Sequence, residues 1–367
     1  MNNNRQISIG NGSVQHSTSD KPTNLQPGRI IAVGGGKGGV GKSLITVALG
    51  FSLSLRNKKI VLVDADFSSP SLANLFETSQ ANSDFSGNPI NKLRLPLYRT
   101  SYPNLRLLSC YSGILGISEY LTTRRRQFIS HLMKINADYI ILDLGSDSSP
   151  LSIQLFNAAN EKLVVTNPEP MSILESFNFV KSCQYQLLKD AFKTHPRIMN
   201  FITATFQKYD FKKFRLLQKL IEQSGHKNIL RQLQPKLILN MLYHNDEVLD
   251  ILALQIASEE LLGVRIEHIS DIHYNENIRS FLKARQLKKL SSIPEFKILT
   301  KKIFNTEKNS LRNFKFQNLE SLKHKDVICS CRCSLWDTCT YQRGGYPCRI
   351  KYIGFINTQS PESDNVK

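Results

Sequence analysis

The stretch from residue 34 to residue 43, GGGKGGVGKS, constrains this chain more than any other feature. It has six glycines and two lysines, and it lies between an apolar run typical of a strand and one typical of a helix. Glycine loses more backbone freedom on ordering than any other residue, so such a run needs a compensating interaction. The spacing from Gly36 to Ser43 is G-x-x-x-x-G-K-[ST], in which backbone N–H groups surround phosphate oxygens.

This phosphate-binding loop assigns a role to each of its polar side chains. Lys42 would contact the β- and γ-phosphates of a nucleotide, and the hydroxyl group of Ser43 would ligate Mg²⁺. The helix that begins near Ser43 adds its positive N-terminal end. The predicted nucleotide-binding residues of the loop are Gly36, Gly38, Gly39, Val40, Gly41, Lys42, Ser43 and Leu44.

From residue 28 onward, short β-rich runs alternate with longer helical patterns, which predicts an α/β fold with a doubly wound, mostly parallel sheet. The predicted strands are Ile30–Val33, Lys59–Val63, Leu105–Leu108, Tyr139–Leu142, Lys162–Thr166, Arg197–Ala204, Lys236–Asn240 and Val264–Ile269. The predicted helices include Ser43–Leu55, Ser118–Lys134 and Met171–Ala191.

The remaining segments differ in composition from this region. Residues 1–28 are polar and predict a disordered tail without a secretory signal. The P-loop domain is placed at 29–287, a basic linker with amphipathic helices at 288–325, a small Cys-rich module at 326–355 and a polar tail at 356–367. No run approaches the roughly 18 apolar residues of a membrane span, so a cytoplasmic location is expected.

A second lysine in the loop, Lys37, extends the motif. With it, the stretch resembles the deviant Walker A motif K-G-G-x-G-K-[ST] of the MinD/ParA family of P-loop ATPases. The resemblance implies that Lys37 reaches across a nucleotide-sandwich dimer to the partner's phosphates, acting with Lys42 in catalysis. The segment VLVDADF resembles the family's switch I, which implies that Asp66 holds or activates the attacking water and that Asp64 lies near the phosphates and Mg²⁺.

Other parts of residues 29 to 287 carry the resemblance further. The run YIILD reads as a Walker B strand, so Asp143 would hold Mg²⁺ and Gly145 would sense the γ-phosphate. Asp147 stands where relatives commonly have glycine, which bears on the hydrolysis rate. The segment VVTNPEPMS resembles the MinD and FlhG subfamilies. Asn240 ends a strand where relatives place an asparagine that hydrogen-bonds adenine.

The chain is strongly basic, with a net charge of +18. This excess of Lys and Arg favours binding to polyanionic partners. Residues 281–325 carry twelve Lys/Arg and three Glu, and the segment 296–304 has a basic amphipathic pattern. The apolar stripe of this segment could pack on the ATPase domain, or the segment could lie on an anionic membrane surface. Its lysines could instead contact non-specific DNA.

Seven cysteines divide into two groups. Cys110 and Cys183 lie in apolar surroundings and are predicted to be core residues. The other group predicts a metal site for Zn²⁺ or an iron–sulfur cluster, with unligated thiols as the alternative. Its members are Cys329, Cys331, Cys333, Cys339 and Cys348.

The resemblance and the residues together predict a slow ATPase that requires ATP and Mg²⁺. Its resemblance to MinD and FlhG implies an ATP-dependent homodimer that acts as a spatial, site-determining switch. A protein partner would stimulate hydrolysis, and the dimer could bind peripherally at the inner face of the cell membrane. The alternatives are a ParA-type DNA-partitioning ATPase and an ATP-dependent carrier of metal clusters.

Overall fold

Eight strands form one sheet in the computed structural model, which describes residues 28–66, 72–76, 97–110, 117–146, 148–208, 211–223, 229, 232–243 and 248–305. The strands are β1 Arg29–Gly34, β2 Ile60–Ala65, β3 Leu97–Arg99, β4 Leu105–Ser109, β5 Tyr139–Leu144, β6 Glu161–Thr166, β7 Lys236–Leu242 and β8 Glu267–His273. Their order in the sheet is β3-β4-β2-β5-β1-β6-β7-β8. All neighbours run parallel except β3 and β4, which are antiparallel. The predicted fold class is therefore confirmed.

Helices cover both faces of the sheet. They are α1 Lys42–Ser54, α2 Leu72–Leu75, α3 Ile117–Thr123, α4 Arg125–Met133, α5 Pro150–Ala158, α6 Pro170–Phe192, α7 Pro196–Lys208, α8 Phe211–Gln223, α9 Val248–Leu262, α10 Glu276–Lys283 and α11 Pro294–Asn305, with a 3₁₀ helix at Leu287–Ser292. One core cluster takes side chains from α4 to α9, and the other takes them from α1, α10, the 3₁₀ helix and α11. Two-sided coverage explains why every residue of β2, β5 and β6 is buried.

The predicted strand Arg197–Ala204 is wrong, because these residues lie inside helix α7. Ile198, Ile202 and Phe206 recur every four residues and pack on the core, with Ile202 fully buried. This helical period outweighs the β-branched composition of the segment. The prediction at Val264–Ile269 is shifted, since β8 begins at Glu267, and β3 was not predicted.

The chain continues to pack on the sheet beyond residue 287, where the sequence pattern placed the end of the P-loop domain. Leu287, Leu290, Phe296, Leu299 and Ile303 are all buried in the same cluster as α1. The apolar stripe of the segment 296–304 therefore packs against the domain. Within the described residues, no helix combines the length and apolarity that crossing a bilayer requires.

Candidate nucleotide site

The phosphate-binding loop connects β1 to α1 at the carboxyl ends of the parallel strands, where ligands of open α/β sheets bind. Two of its glycines meet separate requirements. Gly41 has φ +96°, which is favourable only for glycine, and it precedes the first residue of α1. At Gly36 a Cβ atom would lie 2.0 Å from the carbonyl oxygen of Glu175 in α6. The glycine run thus allows the loop both to turn and to pass close to α6.

The two lysines of the loop make different contacts. Lys42 is 7% exposed, and its ammonium group donates a hydrogen bond of 2.8 Å to the carbonyl oxygen of Lys37. Lys37 extends its own ammonium group to the carboxylate of Glu169, just before α6, and forms an ion pair. Hydrogen bonding and charge from Lys37 lower the pKa of Glu169, and Asn167 adds a further hydrogen bond. Both lysines therefore have partners within one chain.

Two carboxylates lie side by side near the loop. Asp64 on β2 and Asp143 on β5 are register partners across the parallel pair, and both are buried. The backbone N–H of Leu72 donates to Asp64 at 3.0 Å. Burial raises the pKa of Asp143 to about 7; the hydrogen bond from Ser43 opposes this shift, whereas the negative charge of Asp64 adds to it. The pair therefore forms a concentrated negative centre beside the loop.

This donor set fits Mg²⁺, which prefers carboxylate and hydroxyl oxygens. Ser43 and Asp143, the two predicted ligands, are in hydrogen-bond contact with each other. Thr46, one turn into α1, approaches Asp143 at 3.4 Å through its hydroxyl group. A divalent cation held by Ser43 and Asp143 would offset the repulsion between the buried carboxylates and would supply charge stabilisation for phosphoryl transfer.

The predicted switch residues lie around the same centre. Asp66 follows β2 by one residue and is close enough to Asp143 to raise its pKa. Gly145 follows β5 directly and is buried, and Ser146 lies against Gly38 of the loop. Their predicted roles in water activation and γ-phosphate sensing remain predictions. Asp147, predicted to affect the hydrolysis rate, lies outside the described residues.

Asn240 also contacts the loop, although it lies on β7, which is separated from β1 by β6 in the sheet. Its amide nitrogen donates a 2.8 Å hydrogen bond to the carbonyl oxygen of Val40, 200 residues away in sequence. Contact with adenine remains a prediction from the resemblance.

The residue that sequence reasoning missed is Glu169, the ion-pair partner of Lys37. The segment VVTNPEPMS, which contains Glu169, resembles the MinD and FlhG subfamilies, but this resemblance assigns none of its residues to the site. The signal was present in the sequence as a carboxylate just before a predicted helix. Pairing it with Lys37 required knowing that β1 and β6 are neighbours in the sheet.

The predicted metal-binding cysteines 329–348 lie outside the described residues. Within the part of the chain that the structure describes, no metal site is built from three or more His, Cys, Asp or Glu side chains. The Mg²⁺ ligands described above are instead one hydroxyl group and one carboxylate. Cys110 and Cys183 are fully buried, as predicted for core residues. Burial raises the pKa of both thiols, which keeps them protonated and unreactive.

Comparisons with known proteins match the part of the chain that contains the loop and both acidic strands. Residues 26–189 match the family model described as "ParA: NUBPL iron-transfer P-loop NTPase". An iron-sulfur cluster carrier protein of Rickettsia bellii is 27% identical over 151 residues, which are 40% of this chain and 46% of the relative. The septum site-determining protein MinD of Synechocystis is 30% identical over 152 residues, which are 40% of this chain and 56% of that protein.

Among solved structures, the cell division ATPase MinD of Pyrococcus furiosus is 16% identical, with a TM-score of 0.48, covering 76% of this chain and 99% of that one. The chain spans about half the length of the curated relatives it matches. The family match covers the phosphate-binding loop, both acidic strands and the segment that pairs with Lys37. Residues 26–189 therefore match a ParA-family P-loop NTPase domain.

Proposed function

We propose that this protein is an ATP-binding and ATP-hydrolysing dimerisation switch of the MinD/FlhG kind, acting as a site-determining regulator. One observation carries the proposal: Lys37 of the phosphate-binding loop is held by Glu169 of its own chain. In the switch, ATP attracts the Lys37 ammonium group of a second subunit, and this ion pair is exchanged for a contact with the triphosphate. Lys42 serves the nucleotide of its own subunit.

The exposure of the ion pair supports such an exchange. The side chains of Lys37 and Glu169 are 35% and 60% exposed. Exposed ion pairs contribute little free energy and are weakened by salt, so a triphosphate with Mg²⁺ can compete for the lysine. A buried pair would resist the exchange because separating its charges is costly. Because Glu169 immediately precedes α6, the exchange would also change the contacts at the start of a 23-residue helix.

Hydrolysis would reverse the dimer. In the proposed reaction Asp66 orients the attacking water, Ser43 and Asp143 hold Mg²⁺, and the lysines neutralise the developing phosphate charge. Hydrolysis by the dimer alone would be slow, and a protein partner bound to the dimer would stimulate it. In this proposal the presence of the γ-phosphate determines whether the protein is a dimer.

The switch predicts opposite effects for two substitutions in the ion pair. Lys37→Ala is expected to bind ATP but to remain a monomer, because the contact across the dimer is lost. Glu169→Gln is expected to dimerise at lower ATP concentration, because the competing carboxylate is removed. Light scattering after size exclusion measures both, in an Asp66→Ala background that slows hydrolysis. ATP-bound Lys37→Ala that dimerises like the parent would contradict the switch.

The dimer would act at a polyanionic surface. Within residues 276–305 the carboxylates are Glu276 and Glu295, whereas the exposed cations include Lys283, Arg285, Lys288, Lys289, Lys297 and Lys301. We propose an anionic membrane as the surface, bound at the inner face by charge rather than by insertion, because the apolar stripe of α11 is buried. Co-sedimentation with anionic liposomes should require ATP and should weaken with salt. Binding to duplex DNA instead would favour the partitioning alternative.

A second candidate is supported by the names of the relatives. Several matching proteins are named iron-sulfur cluster carriers, and this chain has five cysteines between residues 329 and 348. In this proposal the ATPase cycle drives release of a cluster held by those thiolates. Anaerobically purified protein should then contain iron and show a visible absorption band that a Cys329→Ser, Cys331→Ser variant lacks. A colourless, zinc-loaded preparation would contradict the carrier and favour a structural zinc site.

A further inference from the structure

The end of β7 has an irregular backbone at the nucleotide site. Pairing with β8 shifts register between Asn240 and Leu242, and Met241 between them has φ 60°. A β-bulge changes the direction of neighbouring side chains and is common beside functional sites. A non-glycine residue at positive φ is strained and persists where its surroundings require it. Here the bulge follows Asn240, whose side chain is 2% exposed and contacts the phosphate-binding loop.

The contact determines how the amide of Asn240 is oriented. The carbonyl oxygen of Val40 can only accept a hydrogen bond, so the group facing it at 2.8 Å must be the amide nitrogen. The fit is close, because a Cβ atom at Gly41 would lie 2.2 Å from that nitrogen. Glycine at position 41 therefore meets two needs, its positive φ and the space for Asn240.

Holding the Val40 carbonyl also orients the next backbone donor. The peptide bond is planar and trans, so the N–H of Gly41 points away from the C=O of Val40. The structure has no cis peptide bond among its described residues. By fixing the Val40 carbonyl, the side-chain amide of Asn240 therefore also fixes the direction of the Gly41 N–H. Such N–H groups are what the loop offers to phosphate oxygens.

We propose that Asn240 is a positioning residue of the phosphate-binding loop, and that it strengthens the binding of phosphates even when the ligand has no base. This inference rests on the proposed nucleotide site and deepens it. It assigns Asn240 a role distinct from adenine recognition, because the hydrogen bond acts on the backbone beside Lys42. The two roles differ in one measurable respect: only a positioning role affects a ligand that consists of phosphates alone.

Isothermal titration with Mg²⁺-ATP and with Mg²⁺-tripolyphosphate separates these roles. Asn240→Ala removes the donor and leaves the Val40 carbonyl unpaired, so both ligands should bind about 10-fold more weakly. Asn240→Leu is similar in size, neutral and lacks the donor, so it provides the same readout without adding a charge if the alanine variant does not fold. Tyr243→Leu, an exposed position three residues further on, is the control and should bind tripolyphosphate like wild type.

Each outcome is decisive. Equal weakening for both ligands, with folded variants by circular dichroism, supports the positioning role. Loss of affinity for ATP with unchanged affinity for tripolyphosphate overturns it and leaves a base contact. Wild-type protein that binds neither ligand would contradict the proposed nucleotide-binding function itself, which is a separate result.

Discussion

Asp143→Asn is expected to lower Mg²⁺-dependent ATP hydrolysis about 100-fold, a loss typical of disrupted metal-site residues. The same change should make the nucleotide-free protein more stable at pH 8. Burial raises the pKa of Asp143 to about 7, so at pH 8 the folded state holds an unfavourable buried charge beside Asp64. Because the folded pKa is raised, stability falls as pH rises from about 4 to about 7, and the amide would remove this loss.

The gain in stability is bounded by the pKa shift at up to about 4 kcal/mol, because one pKa unit corresponds to 1.36 kcal/mol. Urea unfolding at pH 8, with and without Mg²⁺-ATP, measures it alongside phosphate release. The ligand should stabilise wild type much more than the variant. Asp190→Asn, which alters an exposed ion pair with Arg125, is the matched control and should change neither measurement appreciably. A variant that is both active and less stable would show that Asp143 is neither a metal ligand nor a strained charge.

Phe296→Ala is expected to lower the free energy of unfolding by about 3 to 5 kcal/mol, the usual cost of truncating a buried phenylalanine. Phe296 is fully buried in the core cluster shared with α1. On the same helix, Lys302 donates to the backbone carbonyl of Ile269 in β8. Together these contacts show that α11 packs on the sheet domain.

Ile298→Ala is the control for this experiment, because the side chain lies on the same helix but is 52% exposed. It should change stability by less than about 0.5 kcal/mol. Urea unfolding of both variants is sufficient. If Phe296→Ala lost less than about 1 kcal/mol, α11 would not contribute to the folded core, and the apolar stripe would be free to bind a membrane.

Sequence patterns predicted some elements better than others, for physical reasons. Strands β1, β5 and β6 are buried on both faces, so their apolar runs are unbroken and easy to find. Helix α7 was mistaken for a strand because its β-branched residues hid a four-residue period. Strand β3 spans three residues, too few for a pattern, and it forms only because it pairs with β4.

The candidate site divides in a similar way. Lys42, Ser43 and the glycines were predictable because the loop is contiguous and its spacing reflects the geometry of phosphate binding. Asp64 and Asp143 were predictable because carboxylates at strand ends meet at one edge of a parallel sheet. The raised pKa of Asp143 could not be predicted from the sequence, because it depends on burial and on which strands are neighbours.

By itself, the sequence predicted a phosphate-binding loop at residues 36–43 and a parallel α/β sheet, because both predictions follow from local spacing and periodicity. Only the tertiary structure decided which distant groups meet. The partners Lys37 and Glu169 are 132 residues apart, and Val40 and Asn240 are 200 apart. It also decided that α11 packs on the domain. The reason is physical. An amphipathic pattern predicts that an apolar stripe will be buried, but the surface on which the stripe packs depends on the shape of the assembled core.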